Sequence, residues 1–290
     1  MRTPEERFTA LPDFPWEPRY HEGPEGNRIA YVDEGDGSPV WLMHGEPTWS
    51  FLWRSVMPEL LGAGHRCVAP DLVGFGRSDK PTDLGWYSYD RHVEAMASLL
   101  EALDLRDVTM VVHDWGGPIG LRLAVEHPDR IARIVVLDTG LFTGHQKMTD
   151  AWTAFRDFVE RTEDLPIGFL VDGATLRELS AEEKAAYEAP FPTPESKAGA
   201  RAFPLMIPRS PEEPGAEAGS RVQAALAQDT RPKLVLWAEQ DPILPIGVGR
   251  KLAAAINAPE PEPIPGASHF LQEDAGAAIG ARIAQWLTTS

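Results

Sequence analysis

The chain has 290 residues, 43% of them hydrophobic and 24% charged, with a formal net charge of −17, a balance that fits one large α/β domain or a domain carrying an insertion. The negative charge argues against nucleic acid or anionic lipid as a partner, since both want clustered Lys and Arg. With no apolar run near the ~20 residues that cross a bilayer and no apolar core in the N-terminal "MRTPEERFTALPDF", a soluble cytoplasmic protein is expected, its oligomeric state left open.

Short runs of β-formers alternate with helical patterns along the chain. The expected strands are "RIAYVDEG" (28–35), "PVWLMHG" (39–45), "RCVAPDL" (66–72), "VTMVVHD" (108–114), "IARIVVLDTG" (131–140), "KLVLWAEQD" (233–241) and a last, less regular "EPEPIPGASHF" (260–270). Between them "SFLWRSVMPELLGAG" (50–64), "YDRHVEAMASLLEALDL" (89–105) and "GPIGLRLAVEHPD" (117–129) carry helical apolar spacing. This alternation predicts βαβ units and a mostly parallel sheet with helices on both faces. From 141 to 214 the rhythm changes: helical pieces "DAWTAFRDFVERTE" and "SAEEKAAYEA" stand between Pro-rich turns, and "FPTPESKAGARAFPLMIPRSPEEPG" reads as packed irregular structure. That segment is too long for a loop. The expected organisation is a core of 1–140 and 215–290 with an inserted helical cap at 141–214.

The lone Cys67 in "HRCVAPDL" reads as a small apolar strand residue. Histidines and carboxylates fall into no metal-ligand spacing, so neither a metal nor another cofactor is implied. In an open α/β sheet, sites form at the carboxyl ends of strands. Three such ends carry reactive groups: Asp114, Asp241 and His269. By itself Asp114 reads equally well as a helix N-cap. The constellation favours a nucleophile, because the order nucleophile, acid, histidine is that of the α/β-hydrolase triad. Gly116 and Gly117 supply the small neighbours that a tight strand-to-helix elbow needs, and the loop from His44 can aim the Glu46 amide at the site, forming an oxyanion hole with the Trp115 amide.

The motifs "HGEPTWSFLWR", "DLVGFGRSDKP", "HDWGGPIGLRLA", "DPILP" and "ASHFLQED" together resemble those of the haloalkane dehalogenases, in the subfamily with Glu after His-Gly. The resemblance spans about Tyr20 to Trp286 and thins in the first half of the cap. It implies an α/β-hydrolase fold and a small halogenated alkane, water and halide as the molecules handled. It further implies alkylation of Asp114, hydrolysis of the ester by water activated by His269, and Asp241 as the acid orienting that imidazole. Glu46 and Trp115 would form the oxyanion hole and position water. The halide would be gripped by Trp115 and by a cap tryptophan, which maps onto Trp152. Asp138, behind a neighbouring strand, is the rival for Asp241.

Bland alternatives stand beside these readings: Glu46 as a helix cap, Trp115 as a cover for the elbow, Trp152 as packing. His44 and His113 are expected as walls or support of the site and His145 at the surface. Phe142, Phe155, Phe158 and Phe169 are candidates for an apolar pocket, with core packing the expectation for at least half. An epoxide hydrolase is the nearest rival function, but the cap holds a single tyrosine, Tyr187, where the resemblance to that family would want two. A fluoroacetate dehalogenase would favour Arg where Trp115 stands, an esterase or lipase would want Ser at 114, and a silent binding module would tolerate loss of triad groups.

Overall fold

The computed structural model describes residues 1–289. Eight strands form one sheet: β1 (Arg19–Glu22), β2 (Arg28–Glu34), β3 (Pro39–Met43), β4 (Arg66–Pro70), β5 (Val108–Asp114), β6 (Ile131–Thr139), β7 (Lys233–Ala238) and β8 (Glu262–Ile264), in the order β1-β2-β4-β3-β5-β6-β7-β8. The pairings β1/β2 and β2/β4 are antiparallel and the rest parallel. All seven expected strands are present. The unforeseen one, β1, is the four-residue edge "RYHE", whose side chains are mostly exposed; without a buried face it has no apolar alternation to read.

The central strands are covered on both faces, so β5 and β7 are buried along almost their whole length and read as continuous apolar runs. Helices α1 (Met57–Gly62), α2 (Tyr89–Ala102) and α3 (Gly116–Glu126) fill the early crossovers. The expected helix at 50–64 is instead a 3-10 turn at Ser50–Trp53 followed by α1. Pro58 has no N–H to offer the Arg54 carbonyl, so the helix restarts there.

Between β6 and β7 the chain forms α4 (Asp150–Arg161), α5 (Ile167–Asp172), α6 (Ala181–Glu188), α7 (Ala198–Met206) and α8 (Ala216–Leu226). Thr149 caps α4 through the Trp152 amide, and Ser180 with Glu183 forms a capping box on α6. The Pro-rich 191–215 stretch, expected to be irregular, contains α7. Ala198, Ala200, Arg201 and Ala202 are good helix formers and Pro204 enters only near the end. Two helices complete the fold, α9 (Ile246–Ala255) and α10 (Leu271–Leu287). Among the described residues, no helix is long and apolar enough to cross a membrane. Cys67 lies buried in β4, and burial pushes its thiol up to about 12, which leaves it inert.

Candidate active site

The carboxyl ends of β3, β5, β6 and β7 and the loop after β8 meet at one place. Asp114, the last residue of β5, has φ 48° and is separated from α3 by Trp115 alone. Such a left-handed turn in a non-glycine residue is strained, and its neighbours are small because backbones pass very close. A Cβ on Gly45 would stand 2.2 Å from Asp114 Oδ1, and one on Gly116 would stand 2.3 Å from the Met43 carbonyl oxygen. Gly117 is pressed against Thr139, whose hydroxyl donates to the Asp114 carbonyl.

The contacts of Asp114 bear on the choice between cap and nucleophile. The Glu46 amide donates to Asp114 Oδ1 at 2.7 Å, and the Trp115 amide also supports the carboxylate. No side chain caps α3. His269 Nε2 lies 3.7 Å from Asp114 Oδ2, while its Nδ1–H donates to Asp241 Oδ2 at 2.7 Å. Asp241 Oδ1 accepts the Ile243 and Leu244 amides at 2.7 and 2.9 Å, so the plane of that carboxylate is fixed.

Charge follows from these contacts. Burial works against ionising Asp114, but hydrogen bonding and attraction from His269 and the Trp115 amide outweigh it and hold the carboxyl below its ordinary value. Burial likewise opposes charge on His269, yet the two flanking carboxylates raise it well above the usual imidazole range. Glu46 is different. Burial first, and repulsion from Asp114 second, raise its carboxyl well above normal, which favours the neutral form beside Asp114, and its Oε1 lacks a protein partner.

Asp114 opens on a cavity of about 290 Å³ walled mainly by apolar groups. Its lining includes Glu46, Trp115, Trp152, His269, Phe142, Phe155 and Phe169. Trp41, Trp49, Trp86 and Trp237 donate their indole N–H to protein acceptors. Among the described residues, no such bond is made by Trp115 or Trp152, whose donors remain available to a ligand. Three of the four candidate phenylalanines line the cavity, more than expected; Phe158 does not and is 40% exposed.

His44 and His113 support the site from behind. His44 Nδ1–H donates to the Gly45 carbonyl and its Nε2 accepts the Leu72 amide. His113 Nε2–H donates to the His269 carbonyl at 2.8 Å, and burial together with the nearby His269 lowers its imidazole to about 4, keeping it neutral. His145 is exposed. Tyr187 is buried, donates to Glu273 and is absent from the cavity lining; it offers nothing to an epoxide oxygen there.

Comparison with known proteins agrees with this geometry. A family model of the alpha/beta hydrolase fold matches residues 38–276. The chain is 42% identical to a haloalkane dehalogenase of Mycolicibacterium paratuberculosis over 99% of this chain and 97% of that one. It is 39% identical to a haloalkane dehalogenase of Psychrobacter cryohalolentis, again over 99% and 97%. The chain belongs to the haloalkane dehalogenases. Among solved structures, the tetrameric haloalkane dehalogenase DpaA from Paraglaciecola agarilytica NO2 superposes with a TM-score of 0.91 at 36% identity, covering 100% of this chain and 98% of that one.

The structure also shows what holds the dehalogenase's histidine loop. Asp274 accepts the amides of Ser268, Leu176 and Arg177, and Glu273 is bound by Arg54, Arg177 and Tyr187. The 174–187 segment is thereby tied to the loop that presents His269. The acidic pair in "LQED" was the visible signal, but apart from Ser268 its partners lie 86 to 219 residues away. Leu244 and Ile243, which also wall the cavity, likewise carried no chemistry by which to single them out.

Proposed function

We propose that this enzyme hydrolyses haloalkanes in two steps through an alkyl ester on Asp114. The observation that carries the mechanism is an ionised carboxylate facing an apolar cavity, with two unpaired indole donors in its lining and an imidazole behind it. Oδ1 is held by the Glu46 amide, which leaves Oδ2 to attack the carbon bearing the halogen. The carbon–halogen bond breaks and the halide is received by the Trp115 and Trp152 N–H groups; a buried anion without such donors is very costly. Water then attacks Cγ of Asp114 while His269 Nε2 takes its proton. Negative charge develops on Oδ1, where the Glu46 and Trp115 amides form the oxyanion hole. Collapse expels the alcohol, and Asp114 returns as a carboxylate. The net products are alcohol, halide and a proton. The neutral Glu46 carboxyl is placed to orient the water.

Trp152, Phe155, Phe169 and Leu170 reach the cavity from the 141–214 segment, which acts as a cap over a core of 1–140 and 215–290. The test is release of bromide and acid from a simple bromoalkane, with hydrolysis of a simple epoxide to a diol followed as control; no release from the bromoalkane overturns the proposal. Phe at Trp115 or at Trp152 keeps the aromatic body and removes the donor. Each variant is expected to weaken bromide binding by about ten- to a hundredfold, as read by fluorescence titration. Parental affinity in Trp152→Phe would make that residue packing.

Alkylation also prepares the second step. It removes the Asp114 charge, one of the two carboxylates that raise His269, so the imidazole becomes easier to deprotonate when it is needed as a base. Asp114 is held below its ordinary value and His269 above its own. As pH falls, His269 therefore stays charged while Asp114 remains a nucleophile. Rapid-quench experiments at mildly acidic pH should find alkyl-enzyme accumulating as turnover declines. A parallel loss of both steps would contradict the assignment.

A further inference from the structure

The sheet register brings a second carboxyl against the triad's acid. Asp138 lies in β6, one residue beyond the Leu137–Leu236 pairing with β7, and is fully buried. Its Oδ1 accepts the Ala238 amide at 2.9 Å, and Oδ2 receives no hydrogen bond from an N–H or hydroxyl. One side-chain atom each from Asp138, Asp241 and His269 lies within 4.8 Å of the others. Asp241 already accepts three N–H bonds, two from amides and one from His269.

Two carboxylates this close in a dry interior resist ionising together, and the neighbouring imidazolium of His269 is already engaged by Asp241. The charge settles where the donors are, on Asp241, and the proton settles on the carboxyl with an unsatisfied oxygen. We infer that Asp138 is a neutral acid that donates its proton in a hydrogen bond to Asp241, making the triad's acid a two-carboxyl unit that shares one proton. Burial and the neighbouring Asp241 charge raise Asp138 well above an ordinary carboxyl, in keeping with that assignment. Asp138 is a positioning residue. It restrains the Asp241 carboxylate from β6, in addition to the restraint from the Ile243 and Leu244 amides. By drawing electron density from Asp241 it also keeps the shared His269 proton on Nδ1, which leaves Nε2 free to act as base.

This inference rests on the proposed triad, yet its first test needs no turnover. Infrared difference spectra of the resting enzyme in H₂O and D₂O should show a protonated-carboxyl C=O stretch that D138N removes. Glu46 is also held neutral, so the diagnostic band is the one lost in D138N and kept in E46Q. The second test is kinetic. D138N retains an uncharged N–H donor and should lose less than about tenfold in ester hydrolysis, whereas D138L, which has no donor, should lose about ten- to a hundredfold with the alkylation burst largely preserved. No D138N-sensitive band, or D138N as damaging as D241N, would overturn the inference. Failure to release halide from any bromoalkane would instead overturn the proposed function and leave the band in place.

Discussion

Replacing His269 with phenylalanine should yield an enzyme that releases about one equivalent of bromide from a bromoalkane and then stops. The first step uses Asp114 alone, and its carboxylate keeps the Glu46 and Trp115 amides whatever stands at 269. Among the described residues of the cavity no other base is at hand for the second step: His113 uses its Nε2 on the His269 carbonyl and is absent from the cavity lining, and the Glu46 carboxyl is raised well above its ordinary value, which favours its neutral form. A flat ring of similar size should fit, since His269 packs at ring distances of 5.2 Å on His113 and 5.0 Å on Phe270. Loss of a general base alone is worth about 10² to 10⁴ in rate, enough for the ester to persist through digestion. Mass spectrometry should then place the alkyl group on the peptide containing Asp114. Alkyl mass on another peptide, with Asp114 unmodified, would show that the nucleophile is misassigned.

The second large effect is expected from Asp241→Asn. Asp241 is buried with Oδ1 pinned by two amides, so an asparagine there turns its NH₂ toward His269 Nδ1. Two donors then face each other. The imidazole relieves the clash by moving its proton to Nε2, the atom that must accept one from water. A comparable misplacement of the tautomer in a serine protease lowers kcat by about 10⁴, and a loss on the order of a thousandfold or more is expected here in ester hydrolysis. Asn at Asp138 should cost far less, because Asp138 makes no hydrogen bond to the imidazole. Single-turnover rates of folded variants decide between them, and the reverse ranking would make Asp138 the triad acid.

How far the sequence alone reaches differs from one part of the site to the next. Asp114, Asp241 and His269 were visible because each follows a strand readable from a few adjacent residues, and the sheet brings strand ends together by construction of the fold. Gly116 and Gly117 marked the elbow for the same local reason. The 141–214 segment was recognisable as helical, whereas α7 was hidden by prolines that look like breakers although Pro204 comes only near the helix end. The edge strand β1 was silent because it buries almost nothing.

Composition, strand periodicity and the spacing of a few motifs thus determined the fold class and pointed to Asp114, Asp241 and His269 as the proposed triad, since these are written in short-range patterns. The tertiary structure decided everything that depends on register between distant segments. It set Gly45 against Asp114 and the Glu46 amide on Oδ1, turned Trp152 and three phenylalanines toward one cavity, and excluded Phe158 from it. It also separated the surroundings of the two candidate acids, of which the sequence favoured Asp241. Asp241 faces His269 and Asp138 faces Asp241, because a carboxylate's role is set by which donors reach it, and those donors come from β7 and the loops after β7 and β8.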